Sequence, residues 1–275
     1  MIPVALGANL KRDACWQGLG RALGWEVLHA VNTVFTILDE SNDFIVVDKP
    51  APLQIHPGGM NGARTLWHGL KDILAYEVAN GGQVSIINRL DRETSGTVLV
   101  AKHAQAARLF GMAMQERRIH KTYQAIVHGW PEWETLDLHA PILRKGDVTE
   151  SAIWVRQAVH EDGAPCQTIF RTLRRVEHDL AGKLALVEAR PVTGRLHQIR
   201  VHLSHLGLPV LGDKIYGLDE RCYLEFIDTG WTPNLERRLH FSRQALHSQR
   251  LEVAAAEFSG AWECDLPQEM QTWLS

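Results

Sequence analysis

The amino-acid sequence predicts an α+β fold with a mixed, largely antiparallel central sheet flanked by helices and loops. Three observations predict it. Short segments at 44–49, 97–102, 121–129, 167–176, 183–190 and 245–253 read as strands, the clearest being the β-branched run from Thr97 to Lys102. Two stretches between them, 64–78 and 104–118, carry apolar residues at helical spacing. Several strands follow one another without a helix-length segment between them, and a purely parallel sheet needs such a segment for each crossover.

In chain order, residues 1–34 hold scattered apolar positions with Gly7, Gly18, Gly20 and Gly24 and no sustained period; they read as an N-terminal extension with one short helix around 16–30. From Thr36 the pattern changes, and 35–275 reads as one domain. Phe44–Lys49 is an apolar run closed by Pro50 and Pro52, a strand entering a loop. Leu66, Leu70, Ile73 and Leu74 follow the i, i+4, i+7, i+8 spacing of one buried helix face, and Gly81-Gly82 ends that helix. Asn88–Gly96 is a polar loop leading into the strand at Thr97. Ala107, Phe110 and Met114 mark the next helix, and Lys121–Gly129 alternates as a strand. After the strands at 167–176 and 183–190, a short helix beginning near Gly194 is expected to carry Leu196, Ile199, Leu203 and Leu206 on its apolar side.

Composition narrows the function classes. The 45% hydrophobic content is ample for a core. No stretch approaches the roughly 20 apolar residues of a membrane span, and the first 30 residues lack a secretory pattern, so a cytoplasmic protein without a membrane partner is expected. Cys15, Cys166, Cys222 and Cys264 form no Cys-x-x-Cys pair, which reads as four reduced thiols. The net charge of −3 argues against a nucleic-acid partner. The segment from Arg89 to Lys121 argues the other way, with seven Lys or Arg against three acids. A run of this size alone is more often a solvated basic face.

Two segments could carry chemistry. Arg89-Leu-Asp-Arg-Glu-Thr-Ser-Gly96 puts Asp91 on a loop leading into a strand, where a rigid sheet can present a side chain to a ligand. Taken alone, such an Arg-x-Asp-Arg cluster is more often a surface ion-pair network. Thr193–His205 places Arg195, Gln198 and His202 on a polar side, apart from the apolar set Leu196, Ile199 and Leu203. An arginine of this segment reaching a buried carboxylate would hold it ionised. The histidines at 197, 202 and 205 spread over about 140° of helix surface at about 100° per residue, a poor metal cradle, and no metal is expected. A hydrolase pairing Asp91 with Glu93 would need both carboxylates to face one pocket, which two positions on one loop need not do.

Five ordered blocks resemble the RluA family of RNA pseudouridine synthases. Ile45-Val-Val-Asp-Lys-Pro-Ala51 with His56-Pro-Gly58 resembles its opening strand and loop, and Arg89–Gly96 its catalytic loop. Lys121-Thr-Tyr123 with Gly129 resembles its tyrosine strand. Gly194-Arg-Leu-His-Gln-Ile-Arg-Val-His202, continuing through Gly212-Asp213 to Tyr216-Gly217, resembles its long C-terminal motif. Arg243-Gln-Ala-Leu-His247 resembles a last block. The resemblance spans about residues 36–267, and departs from the family at Asn88, where histidine is usual, and at Leu196, where threonine or serine is usual.

The resemblance implies the pseudouridine synthase fold and an isomerase needing neither redox cofactor nor metal, with RNA, ribosomal or transfer, as partner. It implies Asp91 as the catalytic carboxylate and Tyr123 as the active-site tyrosine, suited to stacking on the uracil and to removing the ring proton after rejoining. Arg200, or in second place Arg195, is the arginine pairing with Asp91. Leu246 is an apolar wall near the base, and Arg89 fills the space left by a flipped uridine. The alternative is a catalytically inactive RNA-binding member of the same fold. Many members carry a small RNA-binding domain before the catalytic one, and the stretch before residue 35 is too short to complete it. Substrate selection is therefore expected from the catalytic domain itself, with 130–165 and 218–242 (Trp231, Arg237-Arg238) as RNA-contacting regions. A monomer is expected.

Overall fold

The computed structural model describes residues 35–58, 63–255 and 257–275; the extension and its expected helix at 16–30 lie outside the described residues. The strands are β1 (Thr36–Glu40), β2 (Phe44–Lys49), β3 (Ser85–Ile86), β4 (Ser95–Ala101), β5 (Ile119–His128), β6 (Thr135–His139), β7 (Ile142–Arg144), β8 (Gln157–Val159), β9 (Gln167–His178), β10 (Gly182–Pro191), β11 (Leu246–Ala254) and β12 (Ser259–Glu263). Ten of them form one sheet in the order β1-β2-β4-β11-β5-β10-β9-β6, with β3 against β4 and β12 against β11, while β7 and β8 form a separate hairpin. Every pairing is antiparallel except β4 with β11. The sheet is thus mixed and largely antiparallel.

The apolar runs are continuous because both faces of the central strands are covered. Successive side chains point to opposite faces: Ile45, Val47, Val98 and Val100 join one core, and Val46, Leu99 and Ala101 join the other. Helix α1 (Leu66–Ile73) brings Leu66 and Leu70 to the first core, and α3 (Ala104–Gln115) brings Ala106, Phe110 and Ala113 to the second. The helix expected at 64–78 is divided at Leu74 into α1 and α2 (Ala75–Ala79); Leu74 stays buried while Tyr76 turns out to solvent.

The short helix after Thr193 departs from expectation. It is α4, Gln198–His205, and starts four residues after Gly194. The Gln198 side chain explains the delay: its Oε1 accepts from Thr193 Oγ1 and the Arg195 amide, both at 2.9 Å, and so holds 193–197 as a turn. Leu196 therefore leaves the apolar face and is 52% exposed. Gln198 and His202, expected on a polar side, are buried and bonded to Thr168, Gln167 and Ala140.

The segment 218–242, expected among the RNA-contacting regions, is largely helical. It folds as α5 (Arg221–Thr229) and α6 (Pro233–Leu239). Trp231 packs against the buried Cys222, Leu235 and Leu239, and Arg238 is paired with Asp219 and Glu225; Arg237 is exposed.

Register places the site. Gly96 of β4 pairs with Ser248 of β11, Ser248 with Tyr123 of β5, and Tyr123 with Ala189 of β10. The loop carrying Asp91 enters β4 just before Gly96, so one row across four strands brings that loop beside Tyr123.

Candidate active site

Asp91, Arg89, Tyr123, Arg195, Arg200 and Leu246 all line one open cleft of about 1490 Å³. Asp91 is held at its margin with 27% of its side chain exposed. Its Oδ2 accepts from Arg200 Nη1 at 2.8 Å and from Gln244 Nε2 at 3.2 Å. Arg200 projects from α4 and is buried. It donates through Nε at 2.6 Å and Nη2 at 2.9 Å to Asp213, which is fully buried and also accepts from the amides of Ile215 and Tyr216. Burial opposes the charge on Arg200, but Asp213 and Asp91 more than offset this and hold its pKa above the ordinary arginine value. The guanidinium also lies over the Tyr216 ring, 4.9 Å from its centroid.

Arg195 does not share this role. It is exposed at the cleft rim, and its Nε reaches only the Pro165 carbonyl at 3.5 Å. The pairing arginine is Arg200, because it lies inside α4 on the side packed toward Asp213.

Tyr123 is buried in β5, and its phenol is pushed up to about 12 by burial, with the Asp91 charge adding to the effect against Ser248. Leu246, 4% exposed, opens β11 opposite Ala125. These two side chains give the cleft an aromatic and an aliphatic surface beside the carboxylate. Arg89 is exposed at the opening. Arg117 and Lys121 add positive charge along the cleft, so part of the basic run at 89–121 does face it, whereas Arg190 and Arg250 pair there with Glu188 and with Glu252 and Glu263. Lys102 instead joins Glu40 and Glu77 away from it.

The Asp91 loop is fixed from several sides. Asn88 donates to Thr97 O at 3.0 Å and accepts from Leu99 N at 2.8 Å. The fully buried Lys49 donates to the carbonyls of Pro50, Leu53 and Arg92; burial and the Arg243 charge bring its pKa down to about 7 against Asp91 and Asp48. Glu93 is bound by Lys214 Nζ at 2.9 Å to each oxygen and does not line the cleft, so Asp91 and Glu93 do not form an acid/base pair. His202 bonds Thr168 and Ala140 inside the protein, and His197 bonds Tyr216; the two do not converge on a common point.

Sequence reasoning missed Gln244 and His197. Gln244 tethers Asp91 and Thr94, and His197 Nε2 lies 3.9 Å from Asp91 Oδ1. Both lie within the motifs quoted above, the one signal that pointed to them.

Comparison with known proteins agrees with this architecture. A family model described as RNA pseudouridylate synthase matches residues 43–205. The chain is similar to a protein of Chloroflexus aurantiacus named as an uncharacterized RNA pseudouridine synthase, 38% identical over 82% of this chain and 64% of that protein. The chain thus spans just under two thirds of that relative's length. It is similar also to the ribosomal large subunit pseudouridine synthase D of Pseudomonas aeruginosa, 34% identical over 98% of this chain and 77% of that protein. The solved structure of human RNA Pseudouridylate Synthase Domain Containing 4 superposes with a TM-score of 0.66 at 22% identity, covering 94% of this chain and 96% of that one, a likeness of fold. With the family model matching more than half of its length, the chain belongs to the RNA pseudouridylate synthase family, in the RluA-type group that its motifs resemble.

Proposed function

We propose that the protein is an RNA pseudouridine synthase that isomerises specific uridines of ribosomal RNA, with Asp91 as its catalytic carboxylate. The observation that carries this is the setting of Asp91: a half-open carboxylate, tethered through one oxygen to a buried arginine, facing a cleft walled by Tyr123 and Leu246. The bond between uracil nitrogen and ribose breaks, the base turns, a ring carbon joins the sugar, the proton of that carbon is released to solvent, and the freed nitrogen takes up a proton, so that product and substrate are isomers. Asp91 attacks the sugar or the base, or assists departure of the uracil, as a carboxylate does for an electron-poor sugar carbon. Arg200 and Gln244 hold its Oδ2 in place for that task. Tyr123 stacks on the uracil. Its phenol, held near 12, keeps its proton at neutral pH.

A uridine inside folded RNA must leave its stack to reach this cleft. Arg89, at the opening, fills the vacated space, and the basic residues along the cleft meet phosphates. Ribosomal RNA is favoured over transfer RNA by the names of the relatives, among them the Pseudomonas aeruginosa synthase. The expected setting is the cytoplasm, and the expected state a monomer in which residues 35–275 form the catalytic domain.

The test is tritium release. Ribosomal and transfer RNA labelled on the ring carbon that forms the new bond, taken from cells lacking this gene, are incubated with the protein. Release from ribosomal RNA that disappears in Asp91→Ala supports the proposal. Folded protein that binds RNA and releases nothing from either pool sinks it in favour of an inactive RNA-binding member.

A further inference from the structure

His197 has no part in the reaction as proposed above, yet it stands beside the carboxylate. Its φ of 56° lies in the left-handed region, which a residue with a Cβ rarely adopts. The ring lines the cleft, and Nε2 lies 3.9 Å from Asp91 Oδ1. Asp91 is asymmetric at this point: Oδ2 accepts from Arg200 and Gln244, whereas among the described residues no donor reaches Oδ1 at hydrogen-bonding distance.

Hydrogen-bond accounting fixes the proton on this ring. Tyr216 is 2% exposed, and its Oη accepts from the Gln157 amide at 2.9 Å, because a backbone N–H can only donate. The other neighbour of Oη is His197 Nδ1 at 2.8 Å. A proton on Nδ1 would make Oη accept twice and leave the buried Tyr216 O–H without a partner, which buried hydroxyls avoid. With Tyr216 donating to Nδ1, both groups are satisfied and the ring proton sits on Nε2. Burial and the Arg200 charge, against the pull of Asp91 and Asp213, hold the imidazole down to about 4, so the ring is neutral at neutral pH. Burial likewise pushes the Tyr216 phenol up, and its proton stays in place.

We propose that His197 is a positioning residue for the reacting carboxylate: the Gln157 amide and the Tyr216 hydroxyl lock its imidazole with the proton on Nε2, and this neutral donor orients the untethered Oδ1 of Asp91 toward the substrate. A small movement closes the 3.9 Å gap, as catalytic hydrogen bonds commonly tighten only when substrate is bound. A neutral donor aligns the oxygen without neutralising its charge, which a second cation beside Arg200 would do. The kinetic half of this inference rests on the synthase reading of Asp91; the tautomer is a property of the free protein.

The test has two arms on the full chain. Two-bond proton–nitrogen correlation on protein labelled with 15N-histidine, with His197 assigned by its loss in His197→Gln, is expected to show a protonated Nε2 and a bare Nδ1. Tyr216→Phe is expected to mix the two tautomers. A protonated Nδ1 in the unmodified protein overturns the proposal. In the tritium assay, His197→Ala is expected to lower kcat by about tenfold or more with KM little changed. His197→Gln, whose amide nitrogen stands near the place of Nε2, is expected to recover more activity than His197→Asn, whose amide reaches only the place of Nδ1. Backbone preference runs the opposite way, since Asn tolerates left-handed φ better than Gln. An Asn variant better than the Gln variant, or an unaffected Ala variant, therefore overturns the inference. Unmodified protein that releases no tritium defeats the synthase reading instead, and the tautomer measurement still decides this one.

Discussion

Arg200 gives two of its donors to Asp213 and a third to Asp91, at 2.6 and 2.9 Å on one side and 2.8 Å on the other. The bidentate grip fixes the plane of the guanidinium, and a fixed plane aims Nη1 at one oxygen of Asp91. Asp213 is in turn held by two backbone amides. The orientation of the candidate catalytic carboxylate is thus set by a second carboxylate buried behind the arginine.

Asp213→Asn removes the buried negative charge and leaves Arg200 with Asp91 as its one anionic partner. Breaking a buried pair in this way costs about 3–5 kcal/mol, so urea unfolding at neutral pH is expected to show a loss of that order. Arg200→Lys is expected to abolish most turnover while RNA binding persists, because one ammonium cannot span both carboxylates in a fixed plane.

Gln244 is the second tether on Asp91 Oδ2, at 3.2 Å. Removing one hydrogen bond to a charged group costs about 1.5–3 kcal/mol, which corresponds to a fall in kcat of about tenfold or more if the tether is needed in the transition state. Gln244→Ala is expected to show that fall in single-turnover tritium release and, because Gln244 is buried and bonds both Asp91 and Thr94, a lower unfolding midpoint as well. Gln244→Glu, which brings a like charge against Asp91, is expected to be slower still. Equal rates for the three proteins would remove Gln244 from the site.

Much of the site is legible in the sequence because its parts lie in short blocks with a recognisable resemblance: Asp91, Tyr123, Arg200 and Leu246 meet in one cleft although they come from a loop, two strands and a helix. What is not legible depends on contacts between distant residues. The amide of Gln244 acquires its role from a carboxylate 153 positions away, and the proton on His197 from an amide at Gln157 acting through Tyr216. Local pattern also misplaces the start of α4, because periodicity counts Leu196 as apolar and cannot see Gln198 tying the turn before it. The strands β1, β6 and β12 lie at the sheet's margins with much of their length exposed, so they lack the apolar runs that reveal the central strands.

Asn88, standing where the family usually has histidine, bonds both Thr97 O and Leu99 N. It acts as a short length of strand between the Asp91 loop and β4. Asn88→Ala leaves a buried carbonyl and a buried amide unpaired, at about 1–3 kcal/mol each. Urea unfolding is expected to register that loss, and kcat to fall with it because the loop is released. Asn88→Asp, which keeps the acceptor and loses the donor, is expected to lie between the two in stability at low pH and below the parent at every pH.

Gly96 has φ of 117°, and a Cβ there would stand 2.3 Å from Ser248 O. This is the point where β4 meets β11 in the sheet's one parallel pairing among the described residues. Gly96→Ala therefore combines backbone strain with overlap against a carbonyl that cannot move without breaking the row to Tyr123. The expected loss exceeds about 3 kcal/mol and is read as a fall in unfolding midpoint or in soluble yield. A variant as stable as the parent would show that the β4–β11 junction is looser than its geometry.

His247 gives a pH dependence whose sign is fixed. It is fully buried, with Nδ1 2.9 Å from Ser95 Oγ, and burial, together with the Arg243 charge and against the Cys264 carbonyl and Asp265, lowers it from 6.5 to about 4. The unfolded chain then binds the proton first as pH falls. The stability contributed by this group is complete above about 6.5 and is lost as pH falls toward 4. Between pH 7 and pH 5 one such histidine removes about 2 kcal/mol. His128 and His197, also held at about 4, act in the same direction, so the unmodified protein is expected to weaken steeply over this range. His247→Gln takes one of the three out of the titration. Its stability at pH 7 is expected to be lower than the parent's, but its further drop on going to pH 5, measured by urea unfolding, is expected to be smaller by about 2 kcal/mol. Equal drops in the two proteins would mean that the buried imidazole already carries a proton or finds one without cost.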